Sequence, residues 1–343
     1  MKIKAAILVK LNSPMVIDDL EAPFLKPGQV MVKILYSGLC RAQLNEMTGL
    51  KGPDPHLPHL LGHEASGIVE NTGRAISKVK AGDYVILSWI KGFGRDVPST
   101  KYNWRGKTVN AGAVTTFSDY SIVSENRVTK ISRKIPPDCA AIIGCAVATG
   151  AGVVRNTLKV KRGSSIAIFG VGGIGLSALM AAKAVGASKI IAVDIHPQKL
   201  KLARGFGATD VIDATQKRLL NRIHAIVPSG PDYAIDASGV KSTMELAFAS
   251  LHPQGMLVIA GNLARGEKIS LHPFELIKGK RILGTWGGET DPDRDFPRYG
   301  REYLKGVLPI ERLISRRFSL DDINEAMDVF KNGEAGRILI RCS

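Results

Sequence analysis

Residues 164–194 read SSIAIFGVGGIGLSALMAAKAVGASKIIAVD, and this stretch decides the fold of the chain. The apolar run at 164–169 is typical of a buried strand, and the apolar run at 172–186 is long enough for a helix. A second run with the length of a strand follows at 189–194. Because a helix separates the two strands, we expect them to lie side by side and parallel.

The alternation of strands and helices continues towards the C-terminus. A helix is predicted at 197–207, and further strands are predicted at 210–213, 233–238, 255–261 and 281–286. Strands that alternate with helices in this way predict an α/β domain built on a doubly wound parallel sheet.

A glycine-rich loop joins the first strand of this sheet to the first helix. Residues 170–175, GVGGIG, have the GxGxxG pattern in the strand–turn–helix context that a dinucleotide site requires. Asp194 ends the second strand, where a carboxylate can bind the adenosine ribose and would repel a 2′-phosphate. The loop therefore predicts NAD rather than NADP. The candidate cofactor-binding residues are Gly170, Gly172, Gly173, Gly175 and Asp194.

The N-terminal part of the chain has a different pattern. Short apolar runs with glycine and proline between them, at 28–38, 65–73, 81–89 and 117–125, predict strands of a β-rich, barrel-like unit. The last segment, from about residue 287, is of mixed character. It contains a predicted helix at 321–333, with Ser319 or Asp321 as its N-cap.

The composition is ordinary for a soluble globular enzyme. The chain has 343 residues, 45% hydrophobic and 23% charged, and this length predicts two domains. No apolar run is long enough for a membrane helix, and the N-terminus resembles a strand rather than a signal peptide. We therefore expect a cytoplasmic protein without a membrane partner.

The net charge is strongly positive, at +16. Such a charge makes a nucleic-acid-binding protein one alternative. The basic residues are scattered along the chain, however, and they form no basic tract and no nucleic-acid motif. A solvated basic surface is the simpler interpretation, and attraction of an anionic substrate is the next.

Three side chains outside the parallel sheet have the chemistry of a zinc site. Cys40 lies in SGLCRAQLNE, His63 lies in LLGHEASG, and Cys145 lies at the junction with the predicted nucleotide domain. Two thiolates and one imidazole leave a fourth position open, which suits catalytic zinc. Spacing alone does not group these residues, and a single histidine in an apolar stretch is more often part of a core.

A family resemblance groups them. The chain resembles the zinc-containing medium-chain dehydrogenase/reductase superfamily, the group of alcohol, sorbitol and threonine dehydrogenases, over nearly its whole length. The motifs that carry the resemblance are GLC at Gly38–Cys40, GHE at Gly62–Glu64, GCAVATG at Gly144–Gly150, and the GxGxxG loop with its aspartate.

The resemblance implies both the domain organisation and the metal ligands. We expect a Rossmann doubly wound parallel sheet, at 147–286, inserted into a GroES-like β-rich catalytic domain formed by 1–146 and 287–343. Cys40, His63 and Cys145 would hold the catalytic Zn²⁺. Glu64 matches a glutamate beside the metal that approaches the ion in some members. Cys139 and Cys342 match no ligand position.

Further positions match residues around the cofactor and the substrate in the superfamily. Arg41 and Arg337 match arginines that reach the pyrophosphate, and Lys199 matches a lysine that contacts the ribose. Thr149 and Ile174 match residues near the nicotinamide. Trp89 and Phe117 match aromatic residues of the substrate pocket. For each of them, an ordinary surface charge or core side chain is the alternative.

Residues 88–112 depart from the superfamily pattern. Many members have four closely spaced cysteines there that bind a second, structural zinc, whereas this stretch has none. We therefore predict one catalytic zinc and no structural zinc. The stretch is also basic, which suggests an anionic sugar or polyol as substrate. Its basic residues are Lys91, Arg95, Lys101, Arg105 and Lys107, and its one acidic residue is Asp96.

A second departure concerns the proton of the alcohol. The superfamily usually has Ser or Thr two residues after the first ligand and often His three residues further on, whereas this chain has Ala42 and Asn45. Neither side chain is a general base. Gln43 also stands where an aspartate usually supports the zinc-bound histidine. Glu64, a metal-bound water or the substrate's own groups are the alternatives for the relay. A reaction other than simple alcohol oxidation and a base on a loop that the sequence does not identify are further alternatives.

These features together predict a zinc-dependent NAD(H) oxidoreductase that interconverts a secondary alcohol, such as a sugar or polyol, and its ketone. A zinc-free enone or quinone reductase of the same fold is the first alternative, and the presence of all three ligands argues against it. A non-catalytic nucleotide- or nucleic-acid-binding protein is the second. We expect a homodimer or homotetramer, because relatives pair the edge strands of their Rossmann sheets and residues 281–286 match such an edge.

Overall fold

The computed structural model describes residues 1–333 and 336–343. The chain divides into two compact units. The first unit consists of Met1–Cys145, Asp291–Gly306 and Ile310–Ser343, and the second consists of Ala146–Thr290 and Val307–Pro309. Thr290 belongs to the second unit because its hydroxyl donates a hydrogen bond of 2.9 Å to the Ala148 carbonyl.

The strands are numbered along the chain. They are β1 (Lys2–Leu8), β2 (Val16–Glu21), β3 (Gln29–Gly38), β4 (His59–Leu60), β5 (Glu64–Thr72), β6 (Tyr84–Ser88), β7 (Lys101–Trp104), β8 (Lys107–Asn110), β9 (Tyr120–Ser124), β10 (Val128–Lys130), β11 (Ser165–Phe169), β12 (Lys189–Asp194), β13 (Asp210–Asp213), β14 (Tyr233–Asp236), β15 (Met256–Ile259), β16 (Arg281–Gly284), β17 (Ile314–Ser319) and β18 (Arg337–Arg341).

The α-helices are numbered in the same way. They are α1 (Arg41–Met47), α2 (Pro137–Ile142), α3 (Ala148–Gly152), α4 (Gly173–Val185), α5 (Pro197–Gly205), α6 (Leu219–Ile226), α7 (Lys241–Ser250), α8 (Pro273–Ile277), α9 (Pro292–Leu304) and α10 (Ile323–Lys331). Short π-helical segments, Ile143–Val147 and Val153–Thr157, flank α3. Single 3₁₀ turns are formed by Glu125–Arg127, Gly287–Glu289 and Ile310–Leu313.

The second unit is built on a six-stranded parallel sheet. The strand order is β13-β12-β11-β14-β15-β16, with β11 at the point where the order reverses. All five residues of β11 are buried, as expected for a central strand covered on both faces. Helix α4 ends at Gly186, whose φ of 81° forms a left-handed C-cap. The sheet confirms the predicted doubly wound α/β fold.

The first unit is β-rich, as predicted. Strands β1, β2, β7, β8 and β4 form a closed barrel. A second sheet has the order β10-β6-β5-β3-β18-β17, with β9 also paired to β3. In this sheet β3 lies between β5 and β18, with Ser37 opposite Ala65 and Gly38 opposite Leu339. This register brings the end of β3, the start of β5 and the start of β18 together.

The N-terminus of α10 differs from the sequence-based expectation. Helix α10 has Asp322 as its N-cap, so both predicted N-caps, Ser319 and Asp321, are wrong. The Ser319 hydroxyl instead donates to the Asp322 carboxylate at 2.5 Å.

The helical stretch Pro137–Thr157 is apolar and long enough to cross a membrane, but 89% of its most apolar window is buried inside the protein.

Candidate metal and dinucleotide sites

The structure brings the three predicted zinc ligands together within the first unit. Cys40 is the N-cap of α1 directly after β3, His63 precedes β5, and Cys145 lies in the π-helical segment after α2. Their ligand atoms all lie within 4.8 Å of one another. His63 Nε2 is 3.2 Å from Cys145 Sγ. Two sulfurs and one imidazole nitrogen at this separation fit a tetrahedral zinc site with one position open.

The environment of Cys40 favours its thiolate. A hydrogen bond with Cys145 holds the pKa of the Cys40 thiol well below its usual range, against the opposing effect of burial. A hydrogen bond with His63 and the positive charge of Arg337 act in the same direction. Because a metal binds the thiolate rather than the thiol, this cluster is prepared for a cation.

A buried ion pair lies next to the ligand residues. Glu64 is fully buried and Arg337 is 4% exposed, and the guanidinium donates to the Glu64 carboxylate. A Cβ atom on Gly38 would lie 2.5 Å from Glu64 Oε1 and 3.0 Å from Arg337 Nη2. Glycine at the first position of the GLC motif therefore leaves room for the ion pair.

The ion pair concerns two of the predicted site residues. Glu64 is not in the cluster of ligand atoms, since its carboxylate faces Arg337. Arg337 is buried against Glu64 and Cys40, and its contact with a pyrophosphate stays a prediction. Both side chains are almost completely withdrawn from solvent, and Arg337 lies next to the ligand residue Cys40.

The glycine loop of the second unit has room for a ligand at one position and none at two others. Gly170 has a φ of 88°, and a Cβ there would lie 2.7 Å from the Ser238 nitrogen. A Cβ on Gly175 would overlap the Gly170 carbonyl, so the helix packs directly on the loop. A Cβ on Gly172 would meet nothing within 4 Å. This open backbone precedes the N-terminus of α4, as a phosphate site requires.

Asp194 lies beside this loop at the end of β12. It is 9% exposed, and its carboxylate accepts hydrogen bonds from Val171 N at 2.7 Å and from His196 N at 2.9 Å. These bonds hold the carboxylate next to the glycine loop. A negative charge there is suited to ribose hydroxyls and opposed to a phosphate.

The other cofactor candidates lie near this loop or on α1. Gly173 and Ile174 form the first turn of α4, and Thr149 is buried in α3. A Cβ on Gly150, next to Thr149, would overlap the Ile174 carbonyl, so α3 and α4 are in direct contact. Lys199 is half-buried in α5, and Arg41 is exposed at the start of α1 with its guanidinium 5.9 Å from the Phe330 ring.

The two aromatic candidates have different surroundings. Trp89 is half-buried, and its ring centroid is 6.3 Å from that of His63 in an edge-to-face arrangement. Phe117 is 1% exposed and belongs to the hydrophobic core of the first unit. Phe117 thus packs as a core side chain, and its role in the substrate pocket stays a prediction.

A cavity of about 460 Å³ within the first unit reaches His63. Its wall includes an acid–histidine group that the sequence analysis missed, formed by Glu46, Asp54, His56 and His59. The only signal was the proximity of His56 and His59 to the GHE motif. The remaining polar lining comes from Gln43, Ser99, Asn110 and Thr115.

The cavity gives no support to an anionic substrate. Among the described residues that line it, none is lysine or arginine. Two of the basic residues of 88–112 form ion pairs elsewhere: Lys91 pairs with Asp96 at 2.5 Å, and Arg105 pairs with Asp18 at 2.6 Å. An acidic wall would instead repel a phosphorylated or carboxylated substrate.

Comparisons with known proteins agree with this geometry. Residues 26–133 match the family model of the alcohol dehydrogenase GroES-like domain, and residues 173–304 match that of zinc-binding dehydrogenase. The chain is 32% identical to alcohol dehydrogenase class-3 of Myxine glutinosa over 367 residues, covering 98% of this chain and 97% of that protein. The chain belongs to the zinc-dependent medium-chain dehydrogenase/reductase superfamily.

Solved structures of alcohol dehydrogenases are similar over the full length of this dehydrogenase. An alcohol dehydrogenase zinc-binding domain protein from Burkholderia ambifaria has a TM-score of 0.94 at 29% identity, covering 100% of this chain and 99% of that one. Benzyl alcohol dehydrogenase from Acinetobacter calcoaceticus has a TM-score of 0.92 at 30% identity, covering 100% of both chains. The chain is thus an oxidoreductase of the alcohol dehydrogenase type.

In this dehydrogenase, helix α1 carries the two departures expected from sequence. Ala42 and Asn45 are half-buried on α1 and supply no acid or base. Gln43 is buried, and its amide lies between Cys40 and His63. The usual proton relay therefore has no counterpart on this helix.

Proposed function

We propose that this chain is a zinc-dependent, NAD(H)-using dehydrogenase that interconverts a neutral secondary alcohol, such as a sugar or polyol, and its ketone. The observation that carries the proposal is the convergence of Cys40, His63 and Cys145 next to a cavity with hydrogen-bonding walls. Hydroxyl, amide and carboxylate side chains on those walls suit the hydroxyl groups of a polyol.

The roles of the chain follow from this arrangement. Cys40, His63 and Cys145 would hold zinc, which supplies Lewis-acid polarisation of the substrate oxygen. Glu64 and Arg337 keep the ligand loops in place from the buried side. Trp89, edge-on to His63, restricts the space beside the ring and so orients the substrate carbon chain.

The glycine loop and Asp194 of the second unit would bind NAD, which supplies the hydride acceptor. The open backbone at Gly172 leaves room for the pyrophosphate, and Asp194 would bind the ribose hydroxyls. Lys199, Thr149 and Ile174 remain predicted contacts of the same cofactor, and Arg41 remains a predicted phosphate contact.

We assign release of the alcohol proton to His56 on the cavity wall. His59 is less suited, because its Nδ1 lies 2.9 Å from the Leu60 carbonyl and its Nε2 lies 2.7 Å from the Asp54 carboxylate, so both nitrogens face acceptors. His56 is exposed, and Asp54 accepts a hydrogen bond from its backbone N–H at 2.9 Å. An imidazole on the cavity wall has a ring nitrogen that can act as a general base.

A substrate screen with metal analysis on the same sample tests the proposal. Purified protein should reduce NAD with neutral polyols in preference to acidic analogues, and added salt should leave KM for the neutral substrate unchanged. Cys40→Ser should lose zinc and most activity, whereas Cys139→Ser, a buried thiol outside the site, should keep both. Full activity of zinc-free protein or of Cys40→Ser, with enones as substrates, would support the zinc-free reductase instead.

We also propose a cytoplasmic homodimer or homotetramer. Strand β16 is the last strand of the six-stranded sheet, and beyond it Trp286 is 77% exposed. Such an edge can pair with the same strand of a second chain. Sedimentation of the wild-type chain and of a variant with lysine at Leu283 would measure the assembly, and a wild-type monomer would refute it.

A further inference from the structure

Gln43 connects two of the three candidate zinc ligands. It is the third residue of α1 and is 2% exposed. Its Oε1 accepts a hydrogen bond of 2.9 Å from the Cys40 backbone N–H. Its Nε2 lies 2.7 Å from His63 Nδ1. One amide group thus contacts the backbone of one ligand residue and the ring of another.

The chemistry of the amide decides which tautomer of His63 fits. An amide nitrogen carries two hydrogens and no available lone pair, so it can only donate. His63 Nδ1 must therefore present its lone pair to Gln43. The proton of the neutral ring then lies on Nε2, which is 3.2 Å from Cys145 Sγ and can donate to it. Every polar atom in this arrangement has a partner without a metal.

Zinc requires the opposite tautomer. The cluster places His63 Nε2, not Nδ1, next to the sulfurs, so Nε2 must present its lone pair to the ion. The ring proton then moves to Nδ1 and needs an acceptor. If the Gln43 amide turns over to offer its oxygen, its nitrogen faces the Cys40 N–H, and two donors oppose each other. If it does not turn, its Nε2 still faces the new Nδ1–H of His63, and two donors oppose each other there instead.

We propose that Gln43 is a positioning residue that weakens zinc binding at this site and makes the ion readily exchangeable. It does so because its hydrogen bonds are complete only in the metal-free tautomer of His63. A carboxylate of the same length would remove the conflict, since one oxygen can accept from Cys40 N–H and the other from His63 Nδ1–H. The inference rests on the ligand set of the proposed function, but not on any substrate.

The test compares zinc affinity in the wild type, Gln43→Glu and Asn45→Asp. Glutamate has the length of glutamine, so Gln43→Glu changes only the acceptor and the charge. Asn45→Asp adds the same charge two residues further along α1 and controls for a general electrostatic effect. Competition with a chromophoric chelator should show zinc bound about 10- to 100-fold more tightly by Gln43→Glu, with slower release. Asn45→Asp should stay within about threefold of the wild type.

A second measurement needs no metal. Long-range ¹H–¹⁵N correlation spectra of the zinc-free wild type should show His63 protonated on Nε2, and the Gln43→Glu spectrum should show it protonated on Nδ1. The proposal is overturned if the wild-type ring carries its proton on Nδ1, or if Gln43→Glu binds zinc no more tightly than Asn45→Asp. Failure of both the wild type and Gln43→Glu to bind zinc would overturn the ligand set itself, and with it this proposal.

Discussion

The buried pair of Glu64 and Arg337 allows a quantitative prediction for the substitution Glu64→Gln. The two side chains are 0% and 5% exposed. Within the described residues, Arg337 Nε has no hydrogen-bond partner, and Glu64 is the carboxylate that neutralises the guanidinium, which also contacts Cys40. Loss of one member of a buried pair costs about 3–5 kcal/mol, because the other charge remains uncompensated. Glutamine still offers one acceptor, which places the expected loss near the lower value.

Urea unfolding of the zinc-free protein measures this loss without a contribution from metal binding. In a Trp286→Phe background, the remaining tryptophans, Trp89 and Trp104, report on the first unit. With an m-value of about 2 kcal/mol per M, a loss of about 3 kcal/mol lowers the midpoint by about 1.5 M. Adding Arg337→Met should restore much of the stability, since no charge is then left buried. A midpoint within about 0.3 M of wild type, or a double variant no more stable than Glu64→Gln, would refute the reasoning.

Further predictions concern packing, thiols, proton transfer and cofactor choice. Gly38→Ala should destabilise the first unit by about 1–3 kcal/mol in the same urea assay, because its Cβ would lie 2.5 Å from Glu64 Oε1; unchanged stability would contradict the packing. In zinc-free protein at neutral pH, iodoacetamide should modify Cys40 at least about tenfold faster than Cys139 by peptide mass spectrometry, because the pKa of Cys40 is held low whereas burial raises that of Cys139 to about 12. Equal rates would show that the thiolate is not favoured. His56→Gln should lower kcat for alcohol oxidation about 100-fold, because the glutamine amide cannot accept the proton; an unchanged kcat would exclude His56 as the base. Asp194→Asn should raise the ratio of kcat/KM for NADP to that for NAD about tenfold or more, because the repelling charge is removed; an unchanged ratio would count against the assigned ribose site.

Much of the second unit could be predicted from sequence because its elements are local and strongly periodic. The strands 189–194 and 210–213 match the observed bounds of β12 and β13, and α4 begins and ends within one residue of the predicted helix. A central parallel strand is apolar throughout, and a crossover helix must follow it, so the pattern has few alternatives.

The first unit was harder to predict from the sequence because its site is assembled from distant parts of the chain. Nothing in the spacing of Gly38, Glu64 and Arg337 shows that they meet, since their contact depends on the register of β3 between β5 and β18. For the same reason, Arg337 resembled a phosphate ligand in the sequence, whereas the structure buries it. The burial of Phe117 could not be predicted either, because an aromatic residue beside a strand has the same local pattern in a core as in a pocket.

The position of β18 has a consequence for how the protein folds during its synthesis on the ribosome. The second unit is nearly continuous in the chain, so it can fold as soon as its residues have emerged. The first unit cannot, because the end of β3, at Tyr36–Gly38, waits for β18, about 300 residues later in synthesis. At roughly 5–20 residues per second, this nascent edge stays uncovered for about 15–60 s. During that interval it is open to pairing with other chains, and Glu64 lacks the arginine that will neutralise it.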